Sequence, residues 1–197
     1  MSEGQMSTRD KILEHALHLF SAKGYLGATT KEISLGSGVA EVTLFRHFPS
    51  KEALFKEVLS TFTFLPTLKS IMPSVEAIPY EEALAEIASS FIETLRLRKD
   101  LVRIMHSECH LYPDKIKNLQ NTFLTELLDI LAGFFASRRK KGELKYFDEL
   151  LAARLFLSMF YQYFIAKEVF GLGLLGNYDD TSVIEGYINI FSRGTRI

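Results

Sequence analysis

Four groups of side chains have types and spacings with chemical meaning. The first lies between Thr29 and Lys51, in the run TTKEISLGSGVAEVTLFRHFPSK, where Phe45 stands beside Arg46 and His47. An aromatic, a guanidinium and an imidazole on one short outward surface suit contact with a polyanion, since plain solvated faces rarely carry Phe. The second is His106-Ser-Glu-Cys-His110. Its two imidazoles, four residues apart, can face one metal. Glu108 and Cys109 point elsewhere, however, and the His-Glu-x-x-His order is absent, so no metal site is assigned. The third is a stripe of aromatic and sulfur-bearing residues between 80 and 170, which includes Phe91, Met105, His106, Cys109, Phe123, Leu127, Phe160, Tyr163 and Phe164. Such a stripe is first of all core, and it can also line an apolar pocket. The fourth is surplus apolar surface near the C-terminal end. No nucleophile–base pair, phosphate-binding glycine loop or carboxylate couple stands out, so the residues point to binding and not to an enzyme or a cofactor.

The elements that must position the first group are legible. Ser7 or Thr8 caps a helix whose apolar face is Ile12, Leu13, Ala16, Leu17, Leu19 and Phe20, and Gly24 stops it. Thr29 or Thr30 caps a second helix, in which Ile33 points inward. Ser34 and Gly38 let two crossing helices approach, and Gly38 can take the left-handed turn conformation. Leu44 and Phe48, one turn apart, are the inward residues of a third helix ending before Pro49. Glu41, Val42, Thr43, Phe45, Arg46 and His47 are then left on or near the outer surface. A helix-turn-helix of this kind enters the major groove of DNA with its second helix. Val42, Thr43, Phe45 and Arg46 are the groove candidates: Val42 or Phe45 for thymine methyl groups, Arg46 for guanine or a phosphate, and Glu41 as an acceptor for cytosine N4–H2. Thr30, His47 and Lys51 are placed for phosphates, Thr30 and Lys51 at helix N-termini.

Ser50 caps a fourth helix, expected to run to Phe64 or Leu65. Pro66, Pro73 and Pro79 predict irregular chain with short helices over 66–80. Helices follow over 81–97, 101–111, 113–139 and 148–170. A Gly-rich loop over 171–176 then leads to a last helix that starts near Asp179-Asp180. The fold class is all-α: a three-helix head over residues 1–57 and a larger helical part over 58–197. The helix over 148–170 and the last one carry more large apolar residues than one face needs, which fits a helical bundle across a two-fold axis.

Composition sets limits. The 197 residues are 47% hydrophobic, ample for a core, and carry a net charge of −1. Residues 1–57 hold 7 basic and 7 acidic side chains, so attraction to DNA must come from local placement. A single cysteine excludes an intramolecular disulfide and a Cys-rich zinc site. The N-terminus has no apolar signal core. The most apolar stretch, Leu155 to Ala166, is 12 residues long and too short to span a bilayer. A soluble cytoplasmic protein is expected.

Residues 8–57 resemble the N-terminal domain of TetR-family transcriptional regulators. The resemblance rests on Ile12, Ala16, Leu19-Phe20, Gly24-Tyr25, Thr29-Thr30, Ile33, Gly38-Val39, Thr43-Leu44-Phe45, His47-Phe48 and Ser50-Lys51-Glu52-Ala53-Leu54. The chain departs from the family in having Ser34 and Ser37 for Ala, Ala40-Glu41-Val42 for Ser-Lys-Gly, and Phe45 for Tyr, which removes two phosphate donors. The resemblance implies backbone contacts from Thr30, Phe45, His47 and Lys51, and an effector site in the C-terminal part. It also implies a homodimer formed by the last two long helices. With 16 Phe and no Trp in the chain, a lipophilic or aromatic effector is expected, with Tyr161, Tyr163, His106 or His110 as polar anchors. The function implied is a ligand-responsive repressor on a palindromic operator. An activator of the same fold, or a helical ligand-binding module that has lost operator binding, is the alternative.

Overall fold

The computed structural model describes residues 6–108, 110–173 and 178–197. All regular elements among them are helical. In chain order they are α1 (Thr8–Gly27), α2 (Thr30–Gly36), α3 (Glu41–His47), α4 (Lys51–Phe62), α5 (Phe64–Val75), α6 (Tyr80–Leu97), α7 (Lys99–Glu108), α8 (Asp114–Lys140), α9 (Glu149–Phe164), a π-helical turn (Ile165–Val169) and α10 (Asp180–Thr195). The chain divides into two compact units, Met1–Thr63 with Arg98–Asn121, and Phe64–Leu97 with Thr122–Ile197. The first unit contains residues 1–57 and more. It also takes in the rest of α4, and α7 packs along α1.

In the first unit α1, α2 and α4 each start on a side-chain cap, whereas α3 follows Ala40 and has none. The Ser7 hydroxyl accepts from the Asp10 N–H, and Ser50 accepts from Ala53. Thr29 and Glu32 form a reciprocal capping box, and Lys23 pairs with Glu32 at 2.7 Å. Gly24, at φ 69°, kinks α1 so that Tyr25 turns back into the core. There Tyr25 and Phe20 each meet the Phe55 ring at 5.0 Å, and Tyr112 closes on Tyr25 at 6.2 Å. Ile12, Ala16, Phe20, Ile33, Leu44, Leu54 and Val58 are fully buried beneath them.

The stretch around the prolines differs from expectation. α4 ends at Phe62, extended Thr63 breaks the chain, and α5 runs twelve residues through Pro66 and Pro73. Pro66 stands in the first turn of α5, where an N–H has no intrahelical acceptor, so its ring costs nothing there. Pro73 falls two residues before the end and removes one bond only. Similarly, the helix expected over 148–170 is α9 followed by the π-helical turn.

The second unit is built on phenylalanine. Phe135, fully buried, meets Phe134 at 5.6 Å, Phe191 at 5.7 Å, Phe147 at 6.1 Å and Phe156 at 6.4 Å. These rings join α8, α9 and α10. α5 packs on α6, and α6 packs on α9 and α10. Buried Arg138 donates to the Val75 and Ile78 carbonyls at 2.7 and 2.6 Å, satisfying acceptors that the end of α5 leaves open. At the other end of the unit, Asp180 opens α10. Its carboxylate accepts from Tyr163 Oη at 2.6 Å, Lys167 Nζ at 2.9 Å and Arg96 Nη2 at 2.6 Å, which ties α6, α9, the π-helical turn and α10 together. Burial pushes the Asp180 carboxyl up, but the hydrogen bonds from Tyr163, Lys167 and Arg96 outweigh it and hold it well below the usual carboxylate range.

Two outcomes follow for stability. Phe135→Ala leaves a ring-sized hole among the rings that surround it and is expected to cost about 3–5 kcal/mol in urea unfolding. Because the Asp180 carboxyl is depressed in the folded state, its contribution is complete above the unfolded carboxylate range and is lost as pH falls. Asp180→Asn should therefore be less stable than the parent at pH 7, with the gap narrowing on acidification below about pH 4, in thermal melts across pH.

Candidate nucleic-acid interface

The outward surface of α3 is set by what α3 buries. Seven residues are too few for a helix to hold itself in water, so packing must supply its stability. Leu44 is fully buried and Phe48, its C-cap, is 3% exposed. With these two inside, helical geometry turns Val42, Phe45, Arg46 and His47 to solvent, as expected, and leaves Glu41 and Thr43 half-buried. Val42 is 76% and Phe45 41% exposed. The turn that aims α3 runs through Gly38 at φ 70°, with Val39 N–H donating to Ser34 O at 3.0 Å and Gly38 N–H to Leu35 O at 3.1 Å. Ser34 and Ser37 are buried, yet they add no unpaired polar group. Their hydroxyls donate to Lys31 O at 2.9 Å and to Ile33 O at 2.7 Å.

Two polar residues of the site are engaged within the protein. The Thr30 hydroxyl donates to Glu41 Oε1 at 2.6 Å, from the first residue of α2 to the first of α3. Its proton is therefore not directed at a phosphate, and Oε1 of the Glu41 carboxylate is committed to Thr30. The sequence gives no direct sign of this pairing across eleven positions. Lys51 lies back over the Tyr25 ring at 4.5 Å, with Nζ 3.5 Å from Leu26 O. Burial lowers the Lys51 amine, and the Glu52 charge opposes this. The ammonium is thus held at the start of α4 by a ring and a carbonyl. Arg46 and His47 remain at the surface. Arg9 also reaches this region, with its guanidinium 5.2 Å from the Phe48 ring, a neighbour that sequence spacing did not single out.

The proposed effector residues are placed in both units. In the second, Phe91 packs on Phe64 at 4.9 Å, Leu127 and Phe164 are buried, and Phe160 meets Phe156 at 5.1 Å and Tyr187 at 5.7 Å. Tyr163 is buried with its hydroxyl committed to Asp180, and Phe123 is half-buried. Met105 packs against the core of the first unit, whereas His106 and His110 are exposed. Cys109 lies outside the described residues. A groove of about 620 Å³ in the second unit is lined instead by Glu81, Ile188, Asn189, Ser192, Arg193, Arg196 and Ile197, none of them expected. Among the described residues no group of three or more His, Cys, Asp or Glu side chains is placed to hold a metal, and no helix is long and apolar enough to cross a membrane.

A buried-leucine helix-turn-helix that turns an aromatic and basic helix outward, joined to an all-helical second unit, defines a DNA-binding transcriptional regulator. The comparisons agree. The family model for bacterial regulatory proteins of the tetR family matches residues 12–58, and that for the C-terminal domain of AefR-like transcriptional repressors matches residues 82–194. The HTH-type transcriptional regulator YvkB of Bacillus subtilis (strain 168) is 30% identical over 160 residues, covering 81% of this chain and 82% of that protein. The HTH-type transcriptional repressor KstR2 of Rhodococcus jostii (strain RHA1) is 26% identical over 133 residues, 64% of this chain and 60% of its own. Among solved structures, the transcriptional regulator FadR from Bacillus subtilis in complex with stearoyl-CoA superposes with a TM-score of 0.71. It is 20% identical, over 93% of this chain and 97% of that one. The chain belongs to the TetR family of bacterial transcriptional regulators.

A side chain at Gly38 meets open space but must adopt a left-handed backbone. Gly38→Ala is therefore expected to cost about 1–2 kcal/mol through strain alone, read by urea unfolding, with no steric clash to relieve.

Proposed function

We propose that the protein is a homodimeric repressor that binds a palindromic operator and is released by a lipophilic small molecule. The observation that carries the reading is the outward set Val42, Phe45, Arg46 and His47 on a helix pinned by Leu44. A single seven-residue helix in a head of no net charge binds DNA weakly, so two heads are needed. Their recognition helices should lie about 34–36 Å apart, or a multiple, to meet successive turns of the major groove. Leu151 at 65% exposed, Leu155 at 56% and Ile190 at 73% leave an apolar surface on α9 and α10 that suits a second copy of the chain. Residues 1–57 act as the DNA-binding head and 58–197 as the effector and dimerisation part, working in the cytoplasm.

An acyl chain is the favoured effector. Fold neighbours were solved with stearoyl-CoA and, for AibR, with isovaleryl coenzyme A and operator DNA. The residues of the second unit proposed to meet it are Phe91, Phe123, Leu127, Phe160, Tyr163 and Phe164. Ligand binding then selects the arrangement with the weaker grip on DNA.

The test is a mobility-shift titration against the DNA upstream of the chain's own coding sequence. A sequence-specific shift is expected. It should be lost or weakened at least tenfold by Arg46→Ala, and relieved by a long-chain acyl-CoA. Lys51→Ala should reduce the log–log salt slope by about one, the signature of one phosphate contact. No shift on upstream DNA at any salt would sink the reading.

A further inference from the structure

We propose that the recognition helix reads its operator chiefly through the 5-methyl groups of thymine, with Val42 and Phe45 as the reading side chains. Glu41 is a positioning residue held away from the bases. This inference rests on the operator-binding reading above and names the chemistry of its readout.

Val42 and Phe45 are three positions apart, on one face, and both are large, apolar and exposed in a chain that buries most of its aromatic rings. Of the four bases, thymine alone presents an apolar group at the major-groove edge; the others present only donors and acceptors. An apolar side chain gains by covering a methyl. Against guanine O6 and N7 or the cytosine amino group it removes water and returns no hydrogen bond, which is unfavourable. Discrimination therefore works in both directions at each of these positions.

The second observation concerns the competing readout. Glu41 is the acid that could accept from cytosine N4–H2. Its Oε1 already accepts the Thr30 hydroxyl at 2.6 Å, in a half-buried position between the starts of α2 and α3. Turning Glu41 Oε1 to a base would cost that bond, and turning the carboxylate outward would bring an acid toward phosphates. The same bond fixes the first turn of α3 to α2, which sets where Val42 and Phe45 stand. The acid in the recognition helix thus serves geometry, and the apolar pair serves sequence reading.

The experiment uses the full-length protein and a duplex taken from its footprint on upstream DNA, made with thymine or with uracil, which lacks only the methyl. Uracil in the footprint is expected to weaken binding about fourfold per contacted base, the transfer free energy of one methyl group, and uracil outside it to change nothing. Val42→Ala and Phe45→Ala should bind the two duplexes more nearly alike. Glu41→Gln, which keeps an acceptor for Thr30, should retain the parent's thymine preference. Equal affinity of the parent for both duplexes overturns this inference while leaving operator binding intact. So does a preference that survives in both alanine variants. Failure to bind the thymine duplex at all overturns the operator reading itself.

Discussion

The burial of Leu44 is the contact on which the rest of the molecule's use depends. A seven-residue helix has no stability of its own, so α3 exists because Leu44 and Phe48 are inside the first unit's core. The same burial decides its rotation. Once one residue of a helix is fixed inward, the residues at other angles are fixed outward, and Val42, Phe45 and Arg46 become a surface. Gly38 at φ 70° and the small Ser34 let α2 and α3 cross closely enough for this to happen. The Thr30–Glu41 hydrogen bond holds the two helix starts in register.

This arrangement explains how a head with no net charge can serve DNA. Acids and bases are equal in number over residues 1–57; Lys23 with Glu32 and Arg9 with Glu57 neutralise each other at the exposed surface, and Glu41 accepts from Thr30. Arg46 and His47 face outward. What matters for a groove is the charge presented at its surface, and on α3 that surface carries Arg46 and His47.

Much of this was legible in the chain. The Gly38–Leu44–Phe48 spacing, the caps at Thr29 and Ser50, and the stop before Pro49 gave the head, because each is a local rule acting within one turn or helix. The second unit's helices were likewise visible from apolar periodicity. Long-range pairings were not. Nothing in residues 98–121 announces that α7 and the first turns of α8 join the first unit, since helix-to-helix pairing is set by tertiary packing. The Thr30–Glu41 bond joins two polar residues of ordinary helix-start type, so composition gives it no mark. Pro66 and Pro73 are helix breakers by type, yet Pro66 occupies the part of a helix that tolerates its ring. The Tyr163 hydroxyl donates to Asp180, a pairing with no mark in the sequence, because a polar tip on an apolar face looks the same whether it meets a ligand or a carboxylate.

The central claim is that binding comes from geometry and base contact in a head of no net charge. The most direct measurement is the ratio of affinities for the chain's own upstream DNA and for random-sequence DNA of equal length at physiological salt. The account predicts a preference of at least about a thousandfold, the lower end for sequence-specific regulators. A ratio near one, with affinity for both duplexes collapsing together as salt rises, would contradict it.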